Sequence, residues 1–139
     1  AVEAAAKATK FPANTDALKA LNGLQGVLDI KNGNYPSAVT SLTNAGNDAA
    51  ILFNRSLALL LKKEYQSAKS AMEEAINADA KQAVFYYVAG VIATKLSDTE
   101  SMSRNLKMAF KLDDILKRIA LDDLEFANVK EGEPFKDAL

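Results

Sequence analysis

The stretch from Leu52 to Ala80, LFNRSLALLLKKEYQSAKSAMEEAINADA, decides the fold. It is typical of two helices folded back on each other, with a tight break near Lys63 and Glu64. Its second half has an aromatic or β-branched residue, then Ala or Met three positions on, an apolar residue seven on, and Ala ten on. In this copy the pattern is formed by Tyr65, Ala68, Met72 and Ala75.

The same pattern occurs on both sides of this stretch. It occurs 30 residues upstream at Tyr35, Ala38, Leu42 and Ala45. It occurs 34 residues downstream at Thr99, Met102, Leu106 and Ala109. Self-similarity with a period of about 20 to 50 residues marks an array of stacked supersecondary units. Three copies at nearly constant spacing therefore predict an all-α helical repeat.

The composition excludes several classes of site. The 139 residues contain 17 Lys and Arg against 18 Asp and Glu, a net charge of −1, which provides no cationic excess for nucleic acid. Because the chain has no Cys and no His, disulfides, zinc sites of the usual kind and imidazole catalysis are excluded. No apolar run approaches the roughly 20 residues needed to cross a bilayer. We therefore expect one globular domain with no nucleic-acid partner and no membrane insertion of this segment.

Turn chemistry separates the predicted helices. In KNGNYP, Gly33 is suited to a left-handed C-cap, Asn34 to an N-cap, and Pro36 to the first turn of the next helix. Ser97 and Glu100 have the spacing of a capping box. These signals divide the chain into the end of a preceding repeat helix at 1–12, repeats at about 14–46, 47–80 and 81–112, a capping helix at 113–127, and a loose tail at 128–139 in which only Phe135 could dock.

The repeated pattern resembles the tetratricopeptide repeat. Helix pairs of that family place a small residue within the first helix, an aromatic residue at the start of the second, and small residues along the second. The corresponding residues are Gly26, Tyr35, Ala38 and Ala45 in the first copy, Ser56, Tyr65, Ala68 and Ala75 in the second, and Gly90, Thr99, Met102 and Ala109 in the third. The resemblance covers about residues 16–112. It implies a right-handed α–α superhelix of about three helix pairs plus a terminal capping helix.

The sequence departs from the family pattern at several positions. It has no Trp, and Gln25 and Arg55 stand at positions that are normally apolar. Two interpretations of Arg55 remain open: its head reaches solvent past the core, or it pairs with a carboxylate such as Asp48.

The resemblance implies a non-enzymatic interaction or scaffold module that binds a peptide or a partner helix in a concave groove lined by the first helices. Mapped onto this chain, the candidate groove residues are Phe53, Asn54, Leu57, Tyr87, Val91 and Lys95. The same side chains could instead be ordinary core, covered by other parts of the protein. A clamp for a peptide carboxylate is disfavoured, because Asn54 matches that clamp but its partner lysines are missing.

No residues point to catalysis, a cofactor or a metal. The sequence contains no nucleophile elbow and no phosphate loop. An acidic group near the C-terminus could bind calcium or act as acid and base, but interleaved Lys and Arg favour helix capping and a solvated surface. This group consists of Asp113, Asp114, Asp122, Asp123 and Glu125. We therefore expect no enzyme activity.

The expected partner is a protein or peptide, and a homodimer is possible. The alternative is a structural C-terminal domain that packs against the rest of its own chain or self-associates. The junction NAGNDAAILFNR and the closing DDLEF resemble divergent repeats of bacterial cell-envelope tetratricopeptide proteins. That resemblance implies a periplasmic or outer-membrane-associated location, with the cytoplasm as the alternative. Because the chain begins AVEAAAKATK without Met, we expect a removed leader or the rest of a longer protein before it.

Overall fold

The computed structural model describes residues 15–139, and every regular element in this range is a helix. The predicted all-α fold is therefore confirmed, while the prediction for 1–12 lies outside the described residues. The elements are α1 (Thr15–Lys31), α2 (Tyr35–Asn44), α3 (Ala49–Leu61), α4 (Tyr65–Ala78), α5 (Ala83–Lys95), α6 (Thr99–Leu112), α7 (Ile115–Asp122), a 3-10 helix (Leu124–Phe126) and α8 (Glu133–Ala138).

The helices form three stacked hairpins. Helix α1 packs on α2, α3 on α4, and α5 on α6, while α2 also contacts α3 and α4 contacts α5. Each unit therefore buries its apolar side partly within its own pair and partly against the next pair. This nearest-neighbour packing is what defines a helical solenoid.

Small residues in the first helices allow the two helices of a pair to approach closely. A Cβ atom on Gly26 would lie 2.7 Å from Cδ2 of Leu42, and one on Gly90 would lie 2.7 Å from Cδ2 of Leu106. The equivalent Ser56 is fully buried, and its hydroxyl donates a 2.7 Å hydrogen bond to the Ala68 carbonyl. These positions accept only small side chains because the second helix fills the adjacent space.

The repeated apolar positions form the core. Leu42 and Leu106 are fully buried, Met72 is 1% exposed, and the small residues of the pattern surround them. In each hairpin the last three residues of the repeated pattern are thus buried, as the spacing predicts.

The break within each hairpin has one residue in the left-handed region. Gly33 has φ 77°, and the equivalent Lys63 and Ser97 have φ 68° and 58°. Because Ser97 takes this conformation, it does not cap α6, and the predicted Ser97–Glu100 capping box is wrong. Asp98 is the N-cap instead, and its carboxylate accepts a 3.1 Å hydrogen bond from the Ser101 amide.

The C-terminal region differs from the prediction in two respects. The predicted single helix at 113–127 is interrupted, because Asp123 has extended backbone (φ −78°, ψ 122°) between α7 and the 3-10 helix. The predicted loose tail at 128–139 contains α8, which packs on α6. Phe126 and Phe135 are fully buried there, so these aromatic side chains cover the end of the solenoid that the last repeat would otherwise expose.

Candidate functional site

One line of residues runs along the same side of each first helix, at the i, i+4, i+7 and i+11 spacing of a helical stripe. We call it the inner stripe. It consists of Ala20, Leu24, Val27 and Lys31 in α1, Ala50, Asn54, Leu57 and Leu61 in α3, and Val84, Val88, Val91 and Lys95 in α5.

Among the described residues, the inner stripe is open at the first hairpin and closed at the middle of α5, while Val84 and Lys95 near the ends of α5 are exposed. Leu24 is 64% exposed, Leu57 is half-buried, and Val91 is only 6% exposed. A ligand that approaches this side of the solenoid therefore has access to α1 and α3 but not to the middle of α5.

The open part forms a shallow groove of about 550 Å³ between α1 and α3. Leu24 and Val27 line one wall, and Ile51 and Asn54 line the other. The walls approach closely because α1 has Gly23 at the contact, where a Cβ atom would lie 3.2 Å from Cδ1 of Ile51. The result is a mixed surface, in which these apolar side chains are flanked by the charged Asp16, Lys19 and Asp48 and by the carboxamides of Asn47 and Asn54.

Two predicted groove residues of α3 serve mainly as packing. The ring of Phe53 stacks on Phe85 with centroids 4.9 Å apart and an interplanar angle of 18°. Phe53 and Leu57 are both half-buried against the core of the second and third hairpins. Asn54 lies beside them in the open groove. Whether these residues contact a partner stays a prediction.

The third hairpin corrects the sequence interpretation. Residues 123–126, which we call the strap, lie on α5 at Tyr87 and Val91. Tyr87 Oη donates a 2.6 Å hydrogen bond to Asp123 Oδ2, and the Tyr87 ring meets Phe126 edge-on with centroids 5.6 Å apart. Tyr87 and Val91 are 8% and 6% exposed, so they do not line an open groove in this chain.

Lys95 is the exposed end of the same contact. Its Nζ lies 2.7 Å from Oε2 of Glu125, and this carboxylate raises the pKa of Lys95. Burial, followed by the hydrogen bond to Asp123, raises the pKa of Tyr87. The phenol therefore remains a neutral donor and the amine remains charged, so both stabilise the carboxylates of the strap.

Arg55 matches neither of its two predicted roles. Its guanidinium Nη2 donates to the carbonyl of Leu42 at 3.3 Å, in the last turn of α2, and to the carbonyl of Gly46 at 2.8 Å, just after that helix. It also donates to Asn47 Oδ1 at 3.4 Å. A cation at a helix C-terminus is stabilised by unpaired carbonyls and the helix dipole. Arg55 thus stabilises the junction between the first two hairpins through these hydrogen bonds.

The acidic residues near the C-terminus make separate contacts and do not converge on one site. Asp113 accepts from the Ile115 amide and Asp123 from the Glu125 amide, while Asp114 lies 3.6 Å from Lys117. Among the described residues, no set of three or more acidic side chains is placed to hold a metal ion. Within 15–139, none of the helices combines the length and hydropathy needed to cross a membrane.

Stacked helical hairpins with small residues at the pair contacts define a helical-repeat fold of the tetratricopeptide type. Solved structures have the same fold. The chain matches the Arabidopsis OM64 TPR domain with a TM-score of 0.70 and 19% identity, covering 90% of this chain and 93% of that one. It matches the crystal structure of MamA with a TM-score of 0.77 and 20% identity, covering 99% and 78% respectively.

The similarity at this level of identity establishes the fold. No protein-family model matches the sequence, and no curated protein matches it.

Proposed function

We propose that this chain is a non-enzymatic interaction module that binds a peptide or helix of a protein partner in the groove between α1 and α3. The observation that carries the proposal is the open part of the inner stripe. Leu24 is 64% exposed there, and Val27, Ile51 and Asn54 line the same groove.

The chemistry of this groove suits a peptide or an amphipathic helix. Helix-in-groove recognition places apolar anchors of the partner into a hydrophobic surface. Leu24, Val27 and Ile51 provide that surface, and the Asn54 carboxamide can accept from and donate to a partner at its edge. The net charge of −1 favours a protein over a nucleic acid as the partner.

The test compares two substitutions that each place a charge at an exposed apolar position. Leu24→Glu alters the groove, while Ile115→Glu alters α7, where Ile115 is 69% exposed. Each variant and the wild type would be used for affinity capture from a native extract after circular dichroism has shown that they are folded. A partner retained by wild type and Ile115→Glu but lost from Leu24→Glu supports the proposal. A partner retained by all three contradicts it.

Phe53 and Tyr87 are unsuitable for this test. Phe53 stacks on Phe85, and Tyr87 is buried under the strap. Replacing either side chain would remove packing as well as any binding contact, so the result would report on folding.

A structural role is the second candidate, because both ends of the described solenoid expose apolar side chains. Leu21 and Leu28 of α1 are 45% and 52% exposed, and Ile115 and Ile119 of α7 are 69% and 47% exposed. Such surfaces suit packing against other domains or a second copy. Light scattering coupled to size exclusion would give a dimer mass if this role includes self-association, and a monomer mass would exclude the homodimer.

We also propose that the protein functions in the bacterial cell envelope, in the periplasm or at the outer membrane. The support is the resemblance of the junction at Asn44–Arg55 and the closing segment at Asp122–Phe126 to repeats of envelope proteins. Fractionation of cells that produce the whole gene product would test the location. Recovery in the cytoplasmic fraction would contradict it.

A further inference from the structure

The strap contacts α5 in the way that a short peptide contacts a receptor. Its backbone hydrogen bonds among the described residues are local, such as Phe126 N to Asp123 O at 3.1 Å and Lys130 N to Phe126 O at 2.9 Å. Its hydrogen bonds and ion pairs with α5 come from side chains, in the pairs Tyr87–Asp123 and Lys95–Glu125. Side-chain recognition of a short segment does not require that the segment belong to the same chain.

The α5 surface presents a defined set of groups to the strap. Tyr87, Val91 and Lys95 follow one another at four-residue intervals along one side of the helix, spanning about 12 Å. A phenol donor and an ammonium lie at the two ends, with an apolar centre between them. Tyr87 and Lys95 match two acidic residues separated by one position, and the aromatic residue that follows packs between Tyr87 and Phe135 of α8. This is the order Asp123, Leu124, Glu125, Phe126.

Leu124 shows which part of the strap is not recognised. It is 87% exposed, whereas its neighbours Asp123 and Glu125 are bound by Tyr87 and Lys95. The position between the two acidic residues is therefore free to vary.

We propose that the α5 surface is a recognition site for a segment of the form acidic–any–acidic–aromatic, which the strap fills in the free chain and a partner protein fills by displacing the strap. The inference rests on the proposed function, since it takes the chain as an interaction module. It adds the α5 surface to the groove between α1 and α3 as a second contact, and it specifies the chemistry of the partner segment. Displacement would extend the accessible inner stripe from α1 and α3 to α5.

The test uses the full chain and a synthetic peptide with the sequence of residues 121–128, LDDLEFAN, capped at both ends and labelled with fluorescein. A released variant with Asp123→Ala, Glu125→Ala and Phe126→Ala leaves the receptor residues of α5 intact. By fluorescence anisotropy we expect the peptide to bind the released variant at least tenfold more tightly than the wild type. Equal binding to the two folded proteins would overturn the proposal.

A charge exchange checks that the peptide binds the predicted surface. Adding Lys95→Glu to the released variant should weaken binding at least tenfold. A peptide with Glu125→Lys should recover most of that loss, because the ion pair is restored in reverse. If Lys95→Glu leaves the affinity unchanged, the peptide binds elsewhere and the proposal fails.

A second measurement does not depend on the stability of the released variant. The chain has no Cys, so Leu124→Cys provides a single site for a nitroxide label at an exposed position. We expect excess unlabelled peptide to increase the mobility of the nitroxide, and a scrambled peptide to leave it unchanged. No increase at millimolar peptide would show that the strap is a permanent part of the fold.

These outcomes are separable from those of the proposed function. Partner capture that depends on Leu24 can succeed while the peptide assay fails, in which case the groove between α1 and α3 is used and the strap is structural. Peptide binding without Leu24-dependent capture would leave α5 as the recognition surface.

Discussion

Gly90→Ala tests the close approach of the paired helices. A Cβ atom at this position would lie 2.7 Å from Cδ2 and 2.9 Å from Cγ of Leu106. Leu106 is fully buried in the core that contains Met102 and Phe110. Overpacking of this kind costs about 1–3 kcal/mol, while Ala is favoured over Gly within a helix by about 1 kcal/mol.

Gly23→Ala is the matched control, because it makes the same chemical change inside another first helix. Its Cβ atom would lie 3.2 Å from Cδ1 of Ile51, which is the end of a half-buried side chain. The preference of the helix for Ala over Gly applies equally at both positions, so it cancels when the stabilities of the two variants are compared. We therefore expect Gly90→Ala to be less stable than Gly23→Ala by about 2 kcal/mol, or about 6 °C in Tm for a domain of this size.

The assay is urea unfolding followed by circular dichroism, with the free energy of unfolding compared between the two variants. Gly26→Ala should be at least as destabilising as Gly90→Ala, since its Cβ atom would lie 2.7 Å from Cδ2 of Leu42 and still closer to Cγ. If Gly90→Ala is as stable as Gly23→Ala, the helices of the third hairpin are not as close as the structure indicates, and the reasoning fails.

Three further tests address other parts of the fold. Arg55→Ala should lower the free energy of unfolding by about 2 kcal/mol, because the charged hydrogen bonds at the end of α2 are lost. Arg55→Lys should lower it by less. If both variants are as stable as wild type, the capping role of Arg55 is contradicted. Hydrogen bonds from the Ser101 amide and side chain lower the pKa of Asp98. The contribution of Asp98 to the free energy of unfolding is therefore fully present above the ordinary pKa of 3.8, and it is lost as the pH falls through the lower folded-state pKa. Asp98→Asn should lose less stability than wild type when the protein is titrated with acid, and the same loss in both proteins would exclude the effect. Phe135→Ala should lower the free energy of unfolding by about 3–5 kcal/mol. Leu124→Ala, at an 87% exposed position, should change it by less than about 0.5 kcal/mol. If the two variants lose similar stability in thermal unfolding, α8 does not pack on the rest of the protein.

The hairpins could be predicted from the sequence because their determinants are local and periodic. Leu42, Met72 and Leu106 recur at equivalent positions and occupy equivalent places in the core. The turn at Gly33 has its own chemical signal, and the left-handed φ of 77° confirms it. At Ser97 the hairpin imposes the same turn geometry on a residue without that signal, so the N-cap lies one residue later than predicted, at Asp98.

The strap could not be predicted in this way because its contacts are distant in sequence. Tyr87 and Asp123 are 36 residues apart, and no periodic pattern connects them. The available signal is the presence of the large aromatic residues Phe126 and Phe135 in a C-terminal region rich in charged residues, which indicates side chains that need burial. The contacts of Arg55 could not be predicted for a related reason, because two of its three partners are backbone carbonyls, which no sequence pattern identifies.

Site-specific photo-cross-linking in cells tests the interaction role most directly. A benzoylphenylalanine placed at Leu24, in the open groove, would be compared with one at Ile115, which has a similar exposure of 69% against 64%. We predict a protein adduct from position 24 and none from position 115. Adducts from position 115 alone, or none from position 24, would contradict the assignment of the groove between α1 and α3 as the docking surface.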